Sequence, residues 1–146
     1  MSNIHSNIYK GQCLCGGVKF ETPAPSHIDA CHCKMCQIWT GSLFIGADFR
    51  DGITITRDEG LVWYESSDWA KRGFCKTCGS SLFYRLKDND KFWAVSAGCL
   101  DLPKGAKLSK EIFIDEKPDY YALSGEHLRQ TGTEFFASLK KSNDND

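Results

Sequence analysis

Apolar and polar residues alternate in short runs along most of the chain, and a period of two predicts strands with one buried face. Residues 8–12 read as extended. Val18-Lys19-Phe20-Glu21-Thr22 alternates cleanly and stops at Pro23 and Pro25, so a hairpin returning through residues 27–30 is expected. Residues 42–49 form a strongly apolar strand, and Asp51-Gly52 turns it into the β-branched stretch 53–56. Further strands are predicted over 61–64, 81–86, 92–97 and 111–114, with residues 69–74 running into a cysteine group. Helical signal is sparse. A short turn or loop fits 38–41, and near the end Thr131 and Glu134 make a capping box ahead of Phe135, Phe136 and Leu139 on one helical face. Strands far outnumber helices, which predicts a mainly β fold with antiparallel sheets and a short C-terminal helix.

Cysteines interrupt this pattern at three places. Cys13-Leu14-Cys15 is followed by two glycines, Cys31-His32-Cys33-Lys34-Met35-Cys36 reads CxCxxC, and Cys75-Lys76-Thr77-Cys78-Gly79 is a knuckle signature. In an extended segment Cys31 and Cys33 share a face and His32 takes the other. Lys34 and Met35 then allow a reversal that returns Cys36 to the same point. Near neighbours of this kind are poorly placed to bridge each other but well placed to share a metal ion, so metal is expected rather than a disulfide framework.

Stoichiometry narrows the pairing. The two doublets Cys13, Cys15, Cys75 and Cys78 make one closed four-thiolate site of structural type, and the triplet Cys31, Cys33 and Cys36 is left as a second site. That second site has two readings. It is closed by Cys99 or a histidine and is structural, or it stays open and takes an external thiolate, the nucleophile a carbonyl substrate needs. In the open reading Lys34 and Arg72 are the candidate cations for any carboxylate that the external thiol carries. His32 points away from the metal of its neighbours, and His5, His27 and His127 have no partner at ligand spacing, so all four read as surface or core histidines.

Length and charge bound the rest. With 146 residues a single domain over 1–146 is expected, with 141–146 as a frayed tail. Lysine and arginine (18) nearly balance aspartate and glutamate (19), giving a net charge of -1, which argues against a nucleic-acid binder. The polar start Met1-Ser2-Asn3-Ile4-His5-Ser6-Asn7 lacks the features of an export signal, and no apolar run reaches membrane-spanning length; the expectation is a cytoplasmic protein without a membrane. Nothing in the sequence decides the oligomeric state.

From Cys13-Leu14-Cys15-Gly16-Gly17, through Cys31-His32-Cys33-Lys34-Met35-Cys36, to Arg72-Gly73-Phe74-Cys75-Lys76-Thr77-Cys78-Gly79-Ser80-Ser81-Leu82, the chain resembles the glutathione-dependent formaldehyde-activating enzyme family, which includes centromere protein V-like members. The resemblance implies a β-tent of hinged antiparallel sheets with zinc knuckles. It also implies two zinc ions, a structural one on Cys13, Cys15, Cys75 and Cys78 and a catalytic one on Cys31, Cys33 and Cys36. The reaction it implies is of the carbon-sulfur lyase type, joining glutathione and formaldehyde as S-hydroxymethylglutathione. The expected partners are therefore a small-molecule thiol and an aldehyde. The alternative is a non-catalytic zinc protein, acting as a thiol carrier or as a module that binds protein or nucleic acid.

Overall fold

The computed structural model describes residues 8–144; the start at residues 1–7, where the absence of an export signal and His5 were read, and the last two residues of the expected tail lie outside them. The chain divides into two compact units, residues 8–27 with Gly46–Ala106, and Ile28–Ile45 with residues 107–144. The architecture is mainly β, with two helices. None of the described helices is long and apolar enough to cross a membrane.

In the first unit, β1 (Tyr9–Gln12), β2 (Lys19–Thr22) and β5 (Thr54–Arg57) form a small antiparallel sheet with β2 in the middle. The strands β4 (Phe44–Phe49), β9 (Trp93–Ser96), β8 (Ser81–Leu86), β7 (Ala70–Cys75) and β6 (Leu61–Tyr64) follow one another in that order, each antiparallel to the next. Alternation along these strands supplies the core. Val18, Phe20, Phe49, Leu82, Phe83 and Val95 are almost entirely buried. Phe83 is its hub, with ring centroids 5.0 Å from Phe20 and 5.2 Å from Trp93, both edge-on, a geometry that favours the aromatic quadrupoles.

The second unit is built differently. Here β10 (Lys110–Ile112) lies between β3 (His27–Cys31) and β11 (Leu128–Arg129) and is parallel to both. The antiparallel pattern expected everywhere therefore gives way to parallel pairing at this place. The hairpin expected through residues 27–30 is replaced for the same reason. Pro23 and Pro25 lack amide donors, the chain leaves the first sheet there, and β3 finds β10, some 80 residues on, instead.

α1 (Lys34–Thr40) starts inside the CxCxxC motif. Cys33 is its N-cap, and the left-handed Gly41 (φ 86°) ends it with an amide bond to the Gln37 carbonyl. The reversal expected over Lys34 and Met35 is thus the first turn of a helix. α2 (Gly132–Asp144) opens with the predicted capping box: the Glu134 amide donates to Thr131 Oγ1 at 3.1 Å, and the Thr131 amide to Glu134 Oε1 at 2.8 Å. Phe135 and Phe136 meet Phe113, with centroids 5.9 Å and 5.6 Å away, although Phe136 and Leu139 stay largely exposed.

Candidate metal centres

The first unit brings Cys13, Cys15, Cys75 and Cys78 together, with all four sulfurs within 4.8 Å of one another. The Sγ of Cys15 is 3.8 Å from that of Cys13 and 3.7 Å from that of Cys75. Sulfurs placed about 2.3 Å from a central zinc ion at tetrahedral angles are about 3.8 Å apart, so these spacings fit such an ion. Both knuckles direct amides at sulfur. Val18 N donates to Cys13 Sγ at 3.3 Å, the Gly17 amide to Cys15, the Cys78 and Thr77 amides to Cys75, and the Ser80 and Cys15 amides to Cys78.

Two glycines make the turns possible. Gly79 has φ 79°, a conformation that side chains resist, and its amide donates to the Cys75 carbonyl. Gly60 packs so closely that a Cβ there would lie 2.7 Å from Cys75 Sγ; its amide donates to Gly17 O and its carbonyl accepts from Lys76 N, tying one knuckle to the other.

The electrostatics of the four thiols pull in opposite directions. Cys78 is drawn down to about 5, first by the Ser80 hydroxyl 3.2 Å away and then by the Ser80 and Cys15 amides. The Cys78 amide is the largest influence lowering Cys75. Cys15 goes the other way, to about 11: the Gly17 amide favours its thiolate, but desolvation and the neighbouring sulfurs of Cys75, Cys13 and Cys78 outweigh that. Four crowded sulfurs cannot all carry charge unless a cation shares the space, which is the chemistry of a thiolate metal site.

The second unit brings Cys31, Cys33 and Cys36 within 4.8 Å of one another, and among the described residues this group stops at three. Cys31 ends β3, Cys33 caps α1, and Cys36 sits in the first turn with its amide 3.4 Å from Cys33 Sγ. Cys36 is buried, while Cys31 and Cys33 are partly exposed. Hydrogen bonding with Cys33 and then Cys36, together with burial, pushes the Cys31 thiol far above the ordinary range. Again a cation would relieve the crowding. Cys99 joins neither group; it lies in the first unit, its thiol raised by desolvation against a hydrogen bond with Ser96.

The two candidate cations sit in different surroundings. Lys34 is exposed beside Cys33, and its amide donates to Glu116 Oε1 at 2.8 Å. Arg72 belongs to β7 of the first unit and is only 4% exposed; its Nε donates to Ser66 Oγ at 3.3 Å and its guanidinium lies 5.1 Å from the Tyr84 ring.

His32 is not among the ligand atoms that gather with the three sulfurs, and its ring is bonded to residues that no sequence motif marks. Its Nε2 is 2.7 Å from Glu111 Oε1 and its Nδ1 is 2.6 Å from the Tyr121 hydroxyl. Glu111 Oε2 lies 2.5 Å from His127 Nε2 and 2.9 Å from Arg129 Nε. His27, read as partnerless, lies 3.4 Å from Asp48. No local motif marks Glu111 or Tyr121, because both reach His32 from far along the chain.

Three comparisons bear on this geometry. The chain is 27% identical over 134 residues, 91% of its length and 98% of the relative's, to an uncharacterised lyase of Schizosaccharomyces pombe. It is 30% identical over 90 residues to a Podospora anserina protein whose name assigns it to glutathione-dependent formaldehyde activation; that match covers 58% of this chain and 42% of the other. A crystal structure of a Rhodobacter sphaeroides protein shares the fold, with a TM-score of 0.55 at 23% identity over 82% of this chain and 98% of that one. The model of one family, described as glutathione-dependent formaldehyde-activating enzyme, matches residues 8–116, a span that takes in all three cysteine groups and Glu111. The chain belongs to the glutathione-dependent formaldehyde-activating enzyme family.

Proposed function

We propose that this protein is a zinc-dependent carbon-sulfur lyase that joins a thiol, glutathione or a close relative, to an aldehyde such as formaldehyde, and that catalyses the reverse cleavage. The observation that carries this reading is the contrast in ligand count: four sulfurs converge in one unit, and three, two of them partly exposed, in the other. Four protein ligands close a tetrahedron, whereas three leave a position for an incoming group. Cys13, Cys15, Cys75 and Cys78 would hold a structural zinc ion, and Cys31, Cys33 and Cys36 a catalytic one. Zinc at the triplet would supply Lewis acidity that keeps a substrate thiol ionised at neutral pH.

The chain's own part is to gather and present. Cys31, Cys33 and Cys36 offer one open side. The exposed ammonium of Lys34, next to Cys33, suits a substrate carboxylate, and it takes this role ahead of Arg72, whose guanidinium is engaged by Ser66 and Tyr84. The thiolate sulfur bonds to the aldehyde carbon, the carbonyl electron pair moves to oxygen, and a proton from solvent completes the hydroxymethyl thioether. Cleavage runs through the same bonds backwards. Eight free cysteines suit a reducing compartment, so the proposed setting is the cytoplasm.

Calorimetric titration of zinc-loaded protein with glutathione and with S-methylglutathione tests the open position. Binding that needs the free thiol supports it, and equal affinity for the two ligands overturns it. Aldehyde-dependent loss of the free thiol, accelerated by wild type and not by Cys33→Ser, separates an enzyme from a passive thiol carrier.

A further inference from the structure

Behind the triplet the second unit holds a set of buried polar side chains that the proposed reaction does not use. His32 is completely buried and is held at every polar atom. Its amide donates to Ile112 O at 3.1 Å, and its carbonyl accepts from Gln37 Nε2 at 2.8 Å. Its ring bonds Glu111 and Tyr121. Glu111, 1% exposed, is held in turn by His127 and Arg129.

Burying a carboxylate is costly unless it is paired, and here two histidine hydrogen bonds and the ion pair with Arg129 meet its two oxygens. Burial by itself pushes the Glu111 carboxyl up; the hydrogen bonds from His127 and His32, with the charges of His32 and Arg129, outweigh it and hold the carboxyl below its usual range. An ionised Glu111 accepts from His32 Nε2–H, which leaves Nδ1 to accept from the Tyr121 hydroxyl when the ring is neutral.

The placement matters because of the local backbone. Cys31 and Cys33 flank His32 in an extended segment, so their side chains leave on the face opposite the imidazole. A ring clamped at both nitrogens therefore sets the direction of both sulfurs. The third cysteine is reached through Gln37, on the same helix as Cys36, which donates to both the His32 and the Glu116 carbonyls, at 2.8 Å and 2.9 Å.

We propose that Glu111, acting through His32 with Tyr121 as second clamp, is the positioning residue that orients the three-cysteine group for its metal ion. The proposal rests on the reading of the triplet as a metal site. Besides the Cys36 amide that donates to Cys33 Sγ, side chains would orient this group by holding the residue between two of its cysteines, and outer partners of a metal site are commonly worth ten- to a hundredfold in metal affinity.

The test is ¹¹³Cd NMR of the full chain, in which each loaded site gives its own resonance, combined with chelator competition for zinc. Wild type should show two resonances; a single one would overturn the metal reading of the triplet and this proposal with it. In Glu111→Gln the triplet resonance should move and zinc affinity there should drop ten- to a hundredfold, with the four-cysteine resonance unmoved. Tyr121→Phe removes one clamp without touching a buried charge, and should move the same resonance by less. It decides the matter if Glu111→Gln fails to fold. Two resonances in wild-type positions with wild-type zinc affinity, in either folded variant, would overturn the proposal. Global destabilisation alone would weaken both sites together and would equally count against it.

Discussion

Around Cys13, Cys15, Cys75 and Cys78 the hydrogen bonds to sulfur come mostly from the backbone, at Cys15, Gly17, Val18, Thr77, Cys78 and Ser80, joined by the Ser80 hydroxyl. Behind Cys31, Cys33 and Cys36 stand the side chains of His32, Glu111, Tyr121 and Gln37. The first arrangement draws mainly on main-chain amides, with one hydroxyl from Ser80, requires glycine where the chain must pass close, and gathers all four of its cysteines together. The second depends on particular side chains and gathers three sulfurs, one short of the tetrahedron a metal ion would take there on the proposed reading. On the proposed reading, a site that only has to hold an ion would be made mostly from main chain, whereas one that also admits a substrate would need support that does not fill the opening.

Breaking the closed group should have the largest effect. Structural zinc sites contribute on the order of 10 to 16 kcal/mol in small peptides, about as much as a domain's whole net stability. Cys75→Ser, which removes a fully buried cysteine of the proposed zinc site, is therefore expected to abolish cooperative unfolding of the first unit, measured by thermal circular dichroism. Cys33→Ser should instead keep a cooperative transition while zinc content falls from two ions to one, measured by atomic emission. If the two variants were equally damaging, the division into a holding site and a working site would be lost.

A finer test is Gly60→Ala. Its new methyl would press on Cys75 Sγ from 2.7 Å, and overpacking of this kind costs about 1 to 3 kcal/mol. The expected result in urea denaturation is a lower midpoint, with thiol binding at the triplet unchanged. The smallest expected effect concerns acid. Glu111 has a depressed folded-state value, so its contribution is complete above the unfolded carboxylate range and fades as pH falls through the folded value. The acid limb of stability should accordingly be shallower in Glu111→Gln than in wild type, followed by urea midpoints at successively lower pH.

Much of this comparison is readable from spacing. CxC and CxCxxC announce convergent sulfurs, alternation places His32 opposite its neighbours, and the capping box at Thr131 and Glu134 marks the start of α2. These are local signals, decided within one turn or one strand. The unread part is non-local. Glu111 and Tyr121 reach His32 from 79 and 89 residues away, and β10 pairs in parallel with a strand nothing nearby specifies. A short strand carrying a glutamate looks the same whether that glutamate faces water or a buried imidazole. The single apolar face expected of α2 is buried only in part, since Phe135 and Phe136 meet Phe113 but Phe136 and Leu139 stay largely exposed.

The separation of the cysteines along the chain has a consequence for assembly order. Cys31, Cys33 and Cys36 lie within six consecutive residues, whereas Cys15 and Cys75, 60 positions apart, must enclose a long loop before their sulfurs meet. Closing the longer loop costs about 2 kcal/mol more in chain entropy. During synthesis the triplet is complete before β4 has been made; the four-cysteine group waits for Cys78, and the ion it would hold then acts as a cross-link locking in the topology of the strands between.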